Sequence, residues 1–442
     1  MDVDDFGAVG TLQSSTTHSI SLEFDDATFD AMITTYTTTQ EKDWIEATVT
    51  IDGVTYEQAG IRLKGNSSLR SIAGGGLGGP GGLADATTDV GDAESPETLP
   101  WLVKLDKFVD DQNHEGLTDL VVRSNSSSTS LNEALALELL GLAGLASQDA
   151  IAAGFSVNGS TPVLRLVIDN PDDEWMAEEL DATGALYKAE AGGDYSYRGD
   201  DPEAYTDVFD QEAGKDNTDL APLTEFLDFI NNSDDATFEA ELADRLDVDK
   251  FATYLAMQDL LGNFDDIDGP GNNSYLFYDT ESGQFTVVPW DYNLAFGQMP
   301  GGAGAGRPGG GQPRSDGEMP TPAGDLPDMP TDFPADFPGD FPSGMPSGDF
   351  PAGEFPTGDF QGPGGRGGGM MGGGNILVER FLAVDAWQEL YQTRLAELQV
   401  SLIDSGLATN VLAAWAEIVS TTGLVDETTV AEEVARLSSQ FS

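Results

Sequence analysis

The stretch from Asn263 to Gly297 carries the residues of this chain that are best suited to chemistry. Its first part is a loop rich in oxygen-bearing side chains: Asp265, Asp266, Asp268, Asn272 and Asn273. Two short apolar runs follow, Ser274–Tyr278 and Gln284–Pro289, and Asp291 comes next, shortly before a Phe-Gly pair. A loop with Asp and Asn, a short hairpin and an Asp close to Phe-Gly form the order in which phosphoryl-transfer sites hold magnesium and orient a hydroxyl.

Each of these side chains has a chemical role that its type permits. Asp265 can accept the proton of a hydroxyl nucleophile or orient it. Asn273 and Asp291 can ligate magnesium through oxygen, which this hard cation prefers. A calcium-binding loop or plain turn chemistry would explain the Asp265–Asn273 cluster equally well, so Ca²⁺ is a second candidate ion. Neither alternative explains the Trp-Asp-Tyr-Asn-Leu-Ala-Phe-Gly run that follows.

The net charge of the chain is extreme. At pH 7 it is -59, from 78 acidic and 19 basic residues in 442. Such a carboxylate coat is typical of a high-salt or cell-surface environment, because counterions must screen the self-repulsion; attraction of a basic partner is the alternative. Nucleic-acid binding by charge is excluded as a function class, since little would neutralise phosphates.

Other residue types narrow the chemistry further. The chain has no cysteine and two histidines, which excludes disulfides, thiolate sites, a His-based triad and a three-His zinc site. No apolar run long enough for a membrane span occurs. The start, MDVDDFGAVG, lacks a signal-peptide core, and we expect that a leader or lipoprotein anchor has been removed from a secreted or surface protein.

Periodicity and turn residues predict two main regions. Up to residue 170 the pattern is mostly antiparallel strands with one helix at Ser130–Gly144, and Asp52-Gly53 and Asn158-Gly159 mark hairpins. Helical patterns dominate afterwards. The predicted divisions are a strand-rich lobe 18–170 with a Gly-rich loop 71–98, a mostly helical lobe 171–298 with helices resuming at 375–442, and a low-complexity insertion 299–374.

The insertion is dominated by Gly, Pro, Asp, Phe and Met and repeats an Asp-Phe-Pro unit. Its composition cannot bury enough apolar surface to offset chain entropy, which predicts a disordered or loosely collapsed segment. A passive spacer is the simplest interpretation, and a binding segment or a flap over the site is the other.

Two features could bind phosphate oxygens. In Gly60–Leu69, the Asn66, Ser67 and Ser68 turn offers N–H groups and hydroxyls, although a polar β-turn would look the same. Lys104 lies in a predicted strand of a lysine-poor chain, and an acid on the following helix, Glu133 or Glu138, should hold it. Lys188 is the rival cation, and a surface role for Lys104 is the alternative.

Several blocks in order resemble the CotH kinase family, the spore-coat-protein-H-like atypical kinases. The matching blocks are GIRLKGNSSL, PWLVKLDKF, SLNEALALELLGLAGL, FSVNGSTPVLRLVIDNPDDEW, NFDDIDGPGNNSYLFYD and VPWDYNLAFG. The resemblance implies an α+β, divergent bilobal protein-kinase-like fold. It also implies a secreted or surface kinase that uses ATP with Mg²⁺ or Mn²⁺ and phosphorylates Ser or Thr hydroxyls of a protein substrate.

The resemblance also implies roles for individual residues. Asp265, Asp266 and Asp268 compete for the role of the catalytic aspartate. Asp265 fits the family block best, and Asp268 has the Asp-x4-Asn spacing to Asn273 and stays the main alternative. The remaining correspondences are Asn273 or Asn272 as the metal-binding amide, Asp291 as the metal-binding aspartate, Lys104 at the ATP phosphates, Asp169 at the hinge glutamate, and Asn293 where the family more often has a second acid.

Two alternatives stay open from the sequence. A non-catalytic envelope scaffold with a kinase-like fold could bind calcium or protein partners. Transfer of AMP rather than phosphate would depend on the orientation of ATP in the cleft.

Overall fold

A computed structural model describes residues 6–65, 67–69, 72, 93–190, 193–269, 272–298 and 374–441. The insertion predicted at 299–374, except its last residue, lies outside these ranges, as do Asn66 and most of the loop predicted at 71–98. All ranges described belong to one compact unit.

The first region is a closed barrel. Seven strands hydrogen-bond in the order β3-β4-β5-β6-β7-β9-β8, and a parallel pairing of β3 with β8 closes the ring. The elements of this region are β1 Ala8–Val9, β2 Leu12–Gln13, β3 Thr17–Glu23, α1 Asp26–Thr39, β4 Ile45–Ile51, β5 Val54–Leu63, β6 Trp101–Lys104, β7 Asp119–Val122, α2 Leu131–Leu142, β8 Ala150–Val157 and β9 Val163–Ile168.

Both predicted hairpin turns are confirmed. Asp52 and Gly53 have φ of 47° and 84° between β4 and β5, and Asn158 and Gly159 have φ of 48° and 76° between β8 and β9. Positive φ at both central residues is the backbone that joins twisted antiparallel strands without splaying them.

Successive side chains of each strand point alternately into the barrel and to its outer face. Ile61 and Leu63 of β5 are buried in the barrel core, so Arg62 between them points outward. On the outer face of β6 and β7, Leu102 and Val121 belong to the same apolar cluster as the buried residues of α2. The helix predicted at Ser130–Gly144 therefore packs against the outside of the barrel.

The second region contains an antiparallel sheet and most of the helices. Its strands pair in the order β11-β10-β12-β13. The elements are α3 Asp173–Leu180, β10 Gly184–Ala189, β11 Phe209–Ala213, α4 Ala221–Asn232, α5 Asp235–Glu241, α6 Val248–Leu261, β12 Ser274–Asp279, β13 Phe285–Pro289, α7 Ile376–Ala383, α8 Asp385–Leu398, α9 Leu407–Thr421 and α10 Glu427–Ser438.

One predicted helix is interrupted. The pattern from Ile376 to Ser401 favours a single helix, whereas Val384 adopts an extended backbone between α7 and α8. The break lets Trp387 stack on Phe381, with ring centroids 5.3 Å apart and planes at 10°. Burial of two large aromatic rings outweighs the local helical preference here.

The α+β class is confirmed, and the strands of the first region are mostly antiparallel as predicted, but one parallel pairing closes them into a barrel, which the sequence did not predict. A bilobal kinase-like arrangement stays a prediction. Among the described residues, no single helix meets the length and apolarity of a membrane span; one pair bent by 50°, Asp385–Asp404 with Leu407–Thr421, meets them jointly by length and composition.

Candidate functional site

An arginine that the sequence did not single out organises the site. Arg123 follows β7, and its Nε donates to Glu133 Oε1 at 2.8 Å. Its Nη2 also donates to Asp291. Glu133 lies in the first turn of α2, whereas Asp291 comes two residues after β13. One guanidinium thus joins the barrel, the helix and the loop beyond the second sheet.

This ion group is deeply placed, with Arg123, Glu133 and Asp291 side chains 11%, 2% and 25% exposed. Burial alone would lower the pKa of Arg123, but Asp291 and Glu133 outweigh it and raise that pKa. Burial and the charge of Asp291 raise the pKa of Glu133, against the opposing effect of Arg123. Glu133 Oε2 is buried without a hydrogen-bond partner among the described residues, so this oxygen can accept a bond from a ligand or water.

The second sheet holds Asp291 and Asn273 at the same end of a hairpin. Ser274 pairs with Pro289 at the end of the β12–β13 hairpin, so Asn273 directly precedes this pair and Asp291 follows it by two residues. Asp291 itself has a φ of 63°, a left-handed backbone that turns the chain sharply after the strand. The two metal-ligand candidates predicted most directly from the sequence therefore both adjoin the Ser274–Pro289 end of the hairpin.

The three aspartates of the loop have different surroundings. Asp265 accepts from Asn273 Nδ2 at 2.8 Å through its carbonyl and 2.9 Å through its carboxylate. Asp266 is buried and accepts from the N–H of Asp268 at 3.1 Å. Asp268 accepts from the N–H of Asn375 at 2.6 Å, where the chain enters α7. Asp265 is thus bonded to the proposed metal-binding amide, whereas Asp268 anchors a helix.

The remaining metal candidates contact neighbouring backbone. The buried Asn272 donates from Nδ2 to the carbonyl of Glu190 at 3.2 Å. The carbonyl of Asn293 accepts from Ser126 Oγ and Asn132 Nδ2, each at 2.7 Å, which ties its loop to the start of α2. Within the described ranges, no three His, Asp or Glu side chains are grouped as a metal site.

Lys104 is not the partner of Glu133 or Glu138, so the expected pairing was wrong. Its Nζ lies 3.3 Å from Asp106 and 3.4 Å from Asp119. The register explains this, because Lys104 pairs with Asp119 across β6 and β7, at the opposite end of β7 from Arg123. Burial and Asp172 raise the pKa of Asp119 to about 7, against the effects of Lys104 and Lys64.

Lys64 is a second cation that the sequence interpretation passed over. Its Nζ donates to Asn170 Oδ1 at 2.5 Å and lies 5.5 Å from the centre of the Trp290 ring. Burial lowers its pKa to about 8, and Lys188 and Arg62 lower it further against Glu212. The signal was available, because Lys64 directly precedes the Gly-Asn-Ser-Ser turn and the scarcity of cations applies to it as well.

The turn predicted to bind phosphate is described in part. Asn66 and the side chain of Ser67 fall outside the described part of the chain. Gly65 has a φ of 98°, and a Cβ at this residue would lie 2.5 Å from Ser68 Oγ. Only glycine lets the backbone approach that hydroxyl so closely.

Lys188 and Asp169 lie in different surroundings. Lys188 Nζ contacts Glu190 Oε1 at 3.0 Å and stands opposite Tyr275 of β12, next to the Asn272–Asn273 turn. Asp169 accepts from the N–H of Asp149 at 3.0 Å, and burial and Asp149 raise its pKa well above the ordinary value. The neighbouring Asn170, rather than Asp169, contacts a cation of the site.

Comparison with known proteins shows the family of this chain. A family model described as CotH kinase protein matches residues 61–438, which include every residue of the ion group. The inner spore coat protein H of Bacillus subtilis (strain 168) is 28% identical over 169 residues, or 37% of this chain and 46% of the relative. The matched segment thus spans less than half of that relative. Because the family model covers most of the sequence, the chain belongs to the CotH kinase protein family.

Proposed function

We propose that this protein is a kinase that uses ATP and Mg²⁺ or Mn²⁺ to phosphorylate Ser or Thr hydroxyls of a protein. The observation that carries the proposal is the Arg123 ion group, which links a strand, the first turn of α2 and the loop after β13. In protein kinases, a strand cation must pair with a helix glutamate while an aspartate after a hairpin holds the metal. The proposal is supported by Arg123 directly after β7, Glu133 in the first turn of α2 and Asp291 after the β12–β13 hairpin, and it includes a kinase-like bilobal arrangement.

In this mechanism the phosphate-binding cations are Arg123 and Lys64, and Arg123 takes the role that the resemblance implied for Lys104. Lys64 and Arg123 both lie against Trp290, at 5.5 and 5.8 Å from its ring centre. Asp291 and Asn273 would hold the metal, with Asn272 and Asn293 as alternative amides. Two protein oxygens suit magnesium, which substrate phosphates and water otherwise complete. The bound metal would neutralise charge on the phosphate oxygens.

Asp265 would orient the acceptor hydroxyl and take its proton. We favour it over Asp268 because Asp265 bonds Asn273 directly, whereas Asp268 bonds the backbone of Asn375. Fixing the hydroxyl in line with the phosphate is the main contribution that side chains make to this reaction.

The relative's name places that protein in the spore coat. We propose by analogy an extracellular or coat-associated location for this chain. A non-catalytic scaffold is the second candidate, because Arg123 already neutralises Asp291 and no three-acid metal cluster occurs in the described part of the chain.

The test uses the full chain in high salt with Mg²⁺ or Mn²⁺ and ATP labelled on the γ-phosphate or, in parallel, on the α-phosphate. We expect transfer of the γ label alone and a loss of at least about 100-fold in Asp265→Asn. Asp291→Ala should abolish metal-dependent ATP binding in calorimetry. Asp268→Asn is the matched control and should keep most activity.

Transfer of the α label would show AMP transfer instead. Absence of both phosphate transfer and ATP binding would favour the non-catalytic scaffold. Equal loss in Asp265→Asn and Asp268→Asn would contradict the catalytic assignment.

A further inference from the structure

A cavity beside the second half of α2 takes no part in the mechanism above. It encloses about 200 Å³ between that helix, the segment that leads into β8, and Gly7 near the start of the described chain. Its mouth is open to solvent, because Leu142 in its wall is 37% exposed. One molecule of liquid water takes up about 30 Å³, so this space, called here the α2 cavity, is large enough for the head group of a long side chain.

A buried amide in the lining of the α2 cavity lacks one of its partners. Gln148 is 1% exposed, and its Oε1 has no hydrogen-bond partner among the described residues. Its Nε2 donates to the carbonyl of Pro289 at 3.3 Å, which fixes the orientation of the amide because a carbonyl only accepts. Buried polar atoms are rarely left without a partner, so Gln148 Oε1 indicates a donor that binds from outside.

Two carboxylates line the same cavity. Asp149 is held in place by the N–H of Ala8, which donates to its Oδ2 at 3.0 Å, and by Gly7, where a Cβ would lie 2.0 Å from Oδ1. The second carboxylate is that of Glu138 on α2. Burial and the charge of Asp149 raise the pKa of Glu138 to about 7, against the effect of Trp415. A cation in the cavity would offset this cost of ionisation.

The remaining walls indicate what kind of cation fits. Leu137 and Leu142 line the cavity beside the carboxylates, and they cannot bind a metal ion but can pack against methylene groups. Ser147, also in the lining, donates its hydroxyl proton to the carbonyl of Leu137 at 3.2 Å, so its oxygen too is an acceptor. Side chains whose free polar atoms only accept, next to an apolar wall, match a guanidinium or ammonium group on a carbon stem.

We propose that the α2 cavity binds a basic side chain of a polypeptide partner, arginine above all. Glu138, Asp149 and Gln148 Oε1 accept its N–H groups. Leu137 and Leu142 pack against its methylene groups. Arginine is favoured because its five N–H donors form a fork that can reach several acceptors at once. The net charge of -59 attracts basic polypeptides over the whole surface, and the cavity gives this attraction a specific position. The proposal goes beyond the kinase function and does not depend on it.

The first measurement compares two labelled peptides that differ at one residue, Arg or its uncharged analogue citrulline. Fluorescence anisotropy is recorded without nucleotide at pH 8 and about 1 M KCl, where screening over about 3 Å suppresses attraction to the general surface charge. We expect the Arg peptide to bind about tenfold more tightly, because charge-assisted hydrogen bonds to a carboxylate have that effect. Equal affinities of the two peptides would overturn the proposal.

The second measurement uses Glu138→Gln, with Glu225→Gln as a control of equal charge change at an exposed position of α4. Glu138→Gln should remove most of the preference for Arg over citrulline, whereas the control should bind as the parent does. Circular dichroism checks that both variants are folded, and Gln has nearly the size of the Glu that it replaces. An unchanged preference in Glu138→Gln, or an equal loss in both variants, would overturn the proposal.

The pH dependence of binding gives an independent measure. The charged groups that act on Glu138 and its neighbour are carboxylates: Asp149, Asp169, Glu178 and Glu179. Because the pKa of Glu138 is about 7, its ionised fraction rises from about a tenth at pH 6 to about nine tenths at pH 8. The affinity for the Arg peptide should therefore rise about tenfold over this range, and less in Glu138→Gln. A flat profile in the parent would contradict the role of Glu138 and overturn the proposal.

A calorimetric titration with Ca²⁺ tests the metal alternative. We expect no Ca²⁺ binding that depends on Glu138. If Ca²⁺ bound to the parent but not to Glu138→Gln, while the Arg and citrulline peptides bound equally, the α2 cavity would be a metal site and the proposal would be overturned. None of these measurements involves nucleotide, so absence of phosphate transfer would contradict the kinase function and leave this proposal standing.

Discussion

Two glutamates of α2, Glu133 and Glu138, lie in contrasting surroundings. Glu133 is bonded to Arg123 and shares it with Asp291. Glu138, further along the same helix, lies near Asp149, and burial and that charge raise its pKa to about 7. Asp149 in turn belongs to an acidic cluster, defined here as Glu138, Asp149, Asp169, Glu178 and Glu179.

The difference shows how one helix can use buried carboxylates in opposite ways. Glu133 faces a buried cation and forms an ion pair with it, and such a pair can fix the position of charged substrates. Around Glu138, burial and the charge of Asp149 favour the protonated carboxyl group, against the opposing effect of Trp415. The first arrangement organises the candidate site, and the second makes stability depend on pH.

The largest expected effect comes from removing the cation that faces Glu133. Arg123→Ala would leave Glu133 buried without a cation, and we expect a loss of about 3–5 kcal/mol in the free energy of unfolding. Urea unfolding at neutral pH and fixed salt measures it. Arg123→Lys keeps the charge and should recover a substantial part of the stability. A loss below about 1 kcal/mol, the value of an exposed ion pair, would contradict the importance of this group.

Smaller effects on stability are expected for substitutions of the two glutamates, and the two effects should have opposite signs. Glu138→Gln should stabilise the protein at pH 8 by about 1–3 kcal/mol, because it removes the cost of ionising a buried acid among other acids. Glu133→Gln should destabilise it and weaken ATP binding, since Arg123 loses a charged partner. Unfolding and calorimetry on the two variants give both values. Destabilisation of equal size in both variants would mean that the two surroundings do not differ.

The pH dependence tests the acidic cluster as a whole. The pKa values of Glu138 and Glu179 are raised to about 7, so between pH 4.5 and 7 the folded state binds protons that the unfolded state has lost. This contribution to stability is therefore fully present below the unfolded pKa and is lost as pH rises through about 7. We expect unfolding free energy to fall between pH 6 and 8, and to fall less in Glu179→Gln. If the unfolding free energy of Glu179→Gln fell with pH as steeply as that of the parent, Glu179 would not contribute to the pH dependence.

The smallest effect is expected for Lys104. Its side chain is about a third exposed and pairs with Asp106 and Asp119, so Lys104→Ala should change stability by less than about 1 kcal/mol. ATP affinity should change less than in Arg123→Lys, as measured by calorimetry on both variants. A larger loss of ATP affinity in Lys104→Ala would restore the role that the sequence suggested for this lysine.

Local patterns predicted much of the fold. The Asp-Gly and Asn-Gly turns, the helix at α2 and the β12–β13 hairpin are confirmed, because each depends on residues close in sequence. The closure of the barrel was not predicted, because it depends on a parallel pairing between β3 and β8, which are far apart in the chain. The break at Val384 was missed for a similar reason, since aromatic stacking rather than propensity decided it.

The candidate site, like the fold, was predictable from the sequence only in part. The sequence alone determined the order of the loop, hairpin and Asp291, and it determined which residue types were available: carboxylates, amides and few cations. Only the tertiary structure decided which cation meets Glu133, because strand register sets Lys104 opposite Asp119 and leaves Arg123 at the end of β7 near α2. It also gave Asp265 and Asp268 different partners, Asn273 for the first and the backbone of Asn375 for the second. Residue types determine which chemistry is possible. Coulomb energies and hydrogen bonds also depend on distance and burial, and residues far apart in sequence come close to one another only when the chain folds.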